Sequence, residues 1–558
     1  MLKRIFNKKK NIAIISILGL VLIIGGTYAM VNWTSDNYSV AIRSSCMNIN
    51  YTKGQDIDKN LGVIDENLYI SGNTITMNSA MAFSSVNIEL DDACSDINGL
   101  ATVEINITGL SDELKIDGKY FGGLKYVVVE YDPNNYSELS IEELNGQTFN
   151  IVGKGIIYNT GTIDAYTSYI EHGEEKNYLV IFYAEMVHFK NDFVNILIDG
   201  SISARVEQFI ETPISNFTYS TSNGNVVITK YNGSDTVVNL APTYIINGIE
   251  YNTVVSGSVF LGKTLLREVN FADGITAVDG NAGSMFTGCS NLIKVSGLPY
   301  NIVNLSYAFQ NCSSLVDAPV IGNSVQNMYY TFYGCTSLVD APIIGNSVQN
   351  INYTFYECSK LVNAPIIPNS VQNMNYTFYK CTSLVDAPII PNSVQNMNYT
   401  FSDCSKLVNA PEIPNSVIVM VGTFYGCRSL VNAPIIPNSI QNINYTFYEC
   451  SKLVNAPEIP NSVTSMNYTF DGCTSLVNAP EIPNSVTSMT GTFRYCWSLT
   501  GTTIRINSRN VRRTSGSSYH PFYSTRWAIT VEVPSGSTTY TYINNNKPAN
   551  VTISTFTS

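Results

Sequence analysis

Leu361-Val-Asn-Ala-Pro-Ile-Ile-Pro-Asn-Ser-Val-Gln-Asn-Met-Asn-Tyr-Thr-Phe-Tyr-Lys-Cys381 recurs, with substitutions, through the middle of the chain. Ten cysteines mark it at a constant interval of 23 residues: Cys289, Cys312, Cys335, Cys358, Cys381, Cys404, Cys427, Cys450, Cys473 and Cys496. A phenylalanine stands three residues before each cysteine and a leucine three after, from Phe286 to Phe493 and from Leu292 to Leu499. A fixed period of this length signals a stacked solenoid, in which each coil buries its apolar side only against its neighbours.

The inward positions are those that never turn polar. Leu361, Ile367, Val371, Met374, Phe378 and Cys381 have apolar equivalents in nearly every coil. The residue before Ile367 behaves differently. It is Val320, Ile343, Ile366, Ile389 or Ile435 in some coils and Glu412, Glu458 or Glu481 in others. An unpaired buried carboxylate is too costly, so this position points outward. Strand alternation then places Ile367 inward and predicts a short strand over residues 364–367. Pro368-Asn369-Ser370 turns the chain out of it. Pro365 lies inside the segment and interrupts the ladder. The eight outward residues form the candidate ligand face, apolar from Val320 to Ile389 and mostly acidic beyond. Flanking Asn and Pro side chains covering that stripe are the alternative to its being open for a partner.

The order leucine, strand ending in Ile-Pro, Asn-Ser-Val, aliphatic, Phe and Cys resembles the BspA-like leucine-rich repeats of bacterial cell surfaces. Leu361, Ile367, Pro368, Val371, Met374, Phe378 and Cys381 match it in order, with one extra residue before Pro368 and one fewer before Phe378. The resemblance implies a leucine-rich-repeat solenoid and a role in adhesion to a protein or glycan partner. It leaves room for a structural surface component in which the repeats are a spacer.

The remaining sequence is read around this core. Of 558 residues, 44% are hydrophobic and 13% charged, and the net charge of -12 argues against nucleic acid as a partner. Lys3, Arg4, Lys8, Lys9 and Lys10 precede an uncharged apolar run from Ile12 to Met30. Residues 1–31 are therefore expected to act as a signal peptide, cleaved after Ala29, or as a retained membrane anchor. Either fate puts the remainder outside the cell membrane. Residues 32–212 alternate apolar and polar side chains, as in Val86-Asn-Ile88 and Val103-Glu-Ile-Asn-Ile107, and predict an all-β, sandwich-like domain. In an exported chain its two cysteines, Cys46 and Cys94, read as a disulfide. Residues 213–262 predict a hairpin cap with its turn at Ser222-Asn223-Gly224, and residues 263–499 the solenoid. Residues 500–558 predict a second β cap, with strands expected at 502–506, 529–533 and 538–543.

Catalytic chemistry has little to work with. His172, His188 and His520 are isolated in sequence, and no nucleophile, cofactor or metal motif includes them. Asp91, Asp92 and Asp96 lack calcium-loop spacing. The solenoid cysteines are expected to be buried thiols, with disulfides or metal as the alternatives. Two further columns follow the repeat: Tyr307, Tyr330, Tyr353, Tyr376, Tyr399, Tyr445 and Tyr468, expected to stack over the convex side, with partner binding as the alternative, and Asn327, Asn350, Asn373, Asn396 and Asn442, expected to ladder their amides. Arg505, Arg509, Arg512 and Arg513 are read as a solvated loop or an anion site.

Overall fold

A computed structural model describes residues 40–557, apart from short internal stretches of which 91–97 and 186–195 are the longest. The predicted signal or anchor segment, Cys46, Cys94, the Asp91–Asp96 cluster, His172, His188 and Arg513 lie outside the described residues. No helix among the described residues is long and apolar enough to cross a membrane.

The first unit is a pair of packed sheets. A nine-stranded sheet is centred on Ala82–Leu90, Glu175–Glu185, Leu124–Glu130 and Thr148–Ile156, paired antiparallel in that order. A four-stranded sheet runs Gly161–Ile170, Gly99–Leu110, Ile196–Gln208 and Lys59–Leu61. Alternate residues face the space between them. Val103, Ile105 and Ile107 of one sheet share a buried cluster with Val86, Ile88, Tyr178, Val180 and Phe182 of the other. This sandwich carries its polar exceptions in pairs. Buried Glu104 is met by Arg205, which also holds Asp164 at 2.9 Å.

The second unit is the solenoid with its caps. Phe217–Ser222 and Asn225–Tyr231 form the expected hairpin, with Asn223 and Gly224 both at positive φ, as a primed two-residue turn requires. Inside the repeat, Leu361, Val371, Met374, Phe378 and Cys381 are fully buried and Ile367 nearly so. The phenylalanines stack: Phe378 lies 5.6 Å from both Phe355 and Phe401, with ring planes within 4°. Each cap adds a rung. Phe260 stacks on Phe286 at 5.3 Å, and Phe522 on Phe493 at 5.5 Å. The caps therefore close the column with its own chemistry and leave neither terminal ring exposed.

Two expectations are corrected here. The strand over 364–367 is absent. Pairing between coils is by single bridges, one column of them at the residue before the Ala-Pro pair, as in Asp340↔Asn363, Asp386↔Asn409 and Asn409↔Asn432. The proline in every coil has no N–H to donate, so the ladder cannot extend past it. A second bridge column follows the asparagines from Asn281 to Asn396. In the C-terminal cap, residues 538–543 lie within the helix Thr538–Asn544. Ser537 caps it by accepting from the Tyr540 N–H, and Thr539, Tyr542 and Ile543 bury one face. The cap's strands are Thr503–Arg505, Ile529–Pro534 and Val551–Phe556, paired in parallel.

Candidate functional site

The outward column divides into a covered and an open half. Ile343 is 2% exposed and belongs to the same buried cluster as Phe83, Val127, Val129, Leu179, Ile181 and Tyr183 of the nine-stranded sheet. Val320 and Ile366 pack against its margin. The expected apolar stripe is thus roofed by the β domain. The cause lies in the sheet: its central strands are apolar on both faces, one turned to the sandwich interior and the other to the solenoid. Polar contacts fix the fit. Lys176 Nζ reaches Asp273 at 3.0 Å, and Lys294 Nζ donates to Thr167 Oγ1 at 2.9 Å. Burial opposes the Lys176 charge, but Asp273, Glu174 and Glu130 more than offset it and hold its pKa above the ordinary lysine value.

Beyond Ile366 the roof ends. Ile389 is 56% and Ile435 86% exposed, and Glu412, Glu458 and Glu481 alternate with them at the surface. Glu481 is tied to the cap through Arg505 at 3.6 Å and Asn507. The structure therefore brings Ile389, Glu412, Ile435 and Glu458 together as one open strip, while Val320, Ile343 and Ile366 serve the domain contact.

The ten solenoid cysteines are buried free thiols. Each Sγ–H donates to the carbonyl of the phenylalanine one coil back, as Cys381 does to Phe355 at 3.1 Å. Burial raises their pKa values, that of Cys289 to about 12 and those further inside well above the ordinary thiol value. A pKa raised above 9 keeps a thiol protonated at pH 8. None of the ten is expected to react with an aromatic disulfide reagent at pH 8 until the solenoid unfolds, when all ten should. Native reaction of any solenoid thiol would contradict this placement.

A column that the sequence reading passed over stands beside them. Thr331, Thr354, Thr377, Thr400, Thr423, Thr446, Thr469 and Thr492 are fully buried. Each donates its hydroxyl to a carbonyl 26 residues earlier, as Thr377 does to Ile351 at 3.0 Å. Their recurrence in eight successive coils, after Met285 and Ala308 at the same position, was the available signal.

The tyrosines stack as expected. Tyr330, Tyr353, Tyr376 and Tyr399 follow one another at 4.5, 4.8 and 4.9 Å. The row breaks at Gly422 and resumes with Tyr445 and Tyr468 at 5.1 Å. All seven have φ between 51° and 61°, a left-handed conformation that costs an L residue about 1–2 kcal/mol. Of the asparagines expected to ladder their amides, Asn373 and Asn396 do so, Asn396 Nδ2 donating to Asn373 Oδ1 one coil back, whereas Asn327, Asn350 and Asn442 accept from the N–H two residues on. The second asparagine row, Asn352, Asn375 and Asn398, is bonded from coil to coil. Its oxygens accept from the backbone N–H of Asn375, Asn398 and Val421.

His520 is structural. Its Nε2 meets the Ile543 carbonyl, its Nδ1 accepts from the Phe522 N–H, and burial lowers its pKa. Among the described arginines of the C-terminal cap, Arg505 stacks 4.2 Å from the Phe556 ring centroid, between Glu481 and Glu532, so it is already neutralised. No group of three or more metal-ligating side chains occurs among the described residues.

Comparison with known proteins bears on the repeats through one family match. The family described as BspA type leucine rich repeat region matches in six copies, over residues 253–385, 328–443 and 397–515. No curated protein matches the chain. Solved structures similar to it include a leucine-rich repeat protein from Bacteroides ovatus, at 18% identity, covering 62% of this chain and 100% of the other, with a TM-score of 0.44. Another is a leucine rich cell surface protein from Faecalibacterium prausnitzii, at 18% identity, covering 61% and 98%, with a TM-score of 0.37.

Proposed function

Residues 253–515 belong to the BspA-type leucine-rich-repeat family, and from that premise we propose that the protein is an exported, non-catalytic surface protein that binds a partner through the open half of its outward strip. The observation that carries this reading is the contrast along one column. The same position that is roofed by a folded sheet at Ile343 is bare at Ile389 and Ile435. An isoleucine 86% exposed on a rigid, periodic face offers apolar area, and Glu412 and Glu458 on the neighbouring coils add negative charge. Together they suit a protein partner that presents apolar side chains beside lysine or arginine. Export rests on the basic end and apolar run of residues 1–31.

The test uses the full chain carrying Ile389→Glu and Ile435→Glu together. Later coils already carry glutamate at this position, so the double variant should melt with the parent. Its retention on immobilised extracellular-matrix proteins should fall at least tenfold. Equal retention of parent and variant would remove this face from the function and favour the repeats as a spacer.

A further inference from the structure

Ten residues past Ile366 on each coil lies a groove of about 400 Å³, lined by Asn352, Tyr353, Asn375, Tyr376, Asn398, Tyr399 and Val421. The β domain contributes nothing to its lining. Three features of this stretch bear on what it can hold.

The first is the state of the amides. The oxygens of Asn352, Asn375 and Asn398 are committed to the next coil's backbone, at 2.8, 3.1 and 3.0 Å. This fixes each amide plane. The three Nδ2 groups have no partner among the described residues, so one fixed NH2 donor per coil is left for a ligand. Further along, Asn444 and Asn467 accept from the next coil's backbone in the same way, but Ser465 and Ser488 also donate to their oxygens, and Asn467 Nδ2 donates to Ser465.

The second is the boundary. The asparagine position is Tyr329 in the preceding coil and Val421 in the following one. The Tyr329 ring stands across the end of the row, 5.9 Å from Tyr353 and at 82° to it. At the other end Val421 offers no donor, and the neighbouring Gly422 interrupts the tyrosine stack. The row of donors is three coils long.

The third is the backbone. Tyr353, Tyr376 and Tyr399 hold a left-handed conformation that glycine fills at Gly422 and Gly491. Strain retained in favour of a tyrosine side chain marks a position at which that side chain is used.

We propose that this groove binds a neutral, β-linked glycan, about one sugar per coil. No lining residue is charged, which excludes selection for an anionic or cationic chain. Adjacent tyrosine rings, and with them the coils that carry the donors, are 4.8 and 4.9 Å apart. That matches the rise of one hexose along an extended β-linked chain. An extended peptide presents like-facing carbonyls only every second residue, about 6.8 Å apart, and falls out of step within the three coils. Hydroxyls of successive sugars would accept from Asn352, Asn375 and Asn398 Nδ2, with the tyrosine edges and hydroxyls along the other wall. This site lies apart from the Ile389–Glu458 strip, so the two assignments stand or fall separately.

The experiment is calorimetric titration of the full chain with cellohexaose and with the corresponding β-linked N-acetylglucosamine hexamer. Asn375→Asp with Asn398→Asp keeps an oxygen to accept from the Asn398 and Val421 N–H groups and replaces each outward donor with an acceptor. The expected result is binding of at least one hexamer by the parent, weakened about tenfold or more in the double variant at an unchanged melting temperature. The Ile389→Glu, Ile435→Glu protein should bind it as the parent does. Absence of binding of both hexamers to the parent would overturn the proposal. So would equal binding by the double variant, or displacement of the glycan by an unrelated extended peptide.

Discussion

Phe378→Ala is expected to lower the stability of the solenoid by about 3–5 kcal/mol, whereas Cys381→Ala costs far less. The phenylalanine is fully buried and stacked on both sides, so its loss removes two ring contacts and leaves a cavity. The coil cannot close that cavity by itself. Moving inward would detach its Cys, Thr and Asn side chains from the carbonyls and N–H groups of the coils next to it. Because stability in a stack is the sum of coils and the interfaces between them, one bad rung weakens both of its neighbours. The cysteine is smaller, and its bond to the Phe355 carbonyl is a weak one. Urea titration followed by tyrosine fluorescence checks the difference. Equal and large losses for the two variants would contradict the free-thiol arrangement.

The second large effect falls on the domain contact. Ile343→Glu should undock the β domain from the solenoid, because a carboxylate replaces an isoleucine that is 2% exposed among Phe83, Val127, Leu179 and Ile181. Removing a buried isoleucine alone costs about 2–5 kcal/mol, and burying a charge there adds to it. Both units keep their own cores, so the expected change is one of arrangement. The radius of gyration from small-angle scattering should rise, and the segment near residues 209–213 should become sensitive to protease. Ile389→Glu, on the open half of the column, should do neither. An unchanged scattering profile for Ile343→Glu would show that the contact does not hold the two units together.

That contact was also the part of the fold least legible beforehand. The solenoid could be read because ten copies vote on each position: a single glutamate at Glu412 is enough to turn a whole column outward. The Asp340, Asn363 and Asp386 bridges, in contrast, depend on which N–H groups proline leaves free, and the interruption expected at Pro365 removes the whole strand over 364–367 rather than shortening it. The docking had a signal of another kind. Tyr178-Leu-Val-Ile-Phe-Tyr183 and Val127-Val-Val129 do not alternate, and an unbroken apolar run in a strand means that both faces are covered. Alternation elsewhere in the domain drew attention to one face only. The eight residues of the outward column were identified together, but what roofs three of them depends on a sheet more than 130 residues away in sequence, and no local pattern states that pairing. The helix Thr538–Asn544 was missed because its threonines and tyrosines favour strands, while its Ser537 cap went unread.

The near-identity of the coils has a consequence for heredity. Each rung makes the same bonds to the one before it, and Phe260 and Phe522 accept any coil that ends in the same ring. An in-frame gain or loss of one 23-residue unit between Ile389 and Glu481 would therefore leave the caps, the core and the domain contact intact. What would change is the length of the open strip and the distance it reaches from the roofed end. Lineages of this gene can thus be expected to differ in coil number before they differ in fold, with recombination between repeats adjusting reach in steps of one coil.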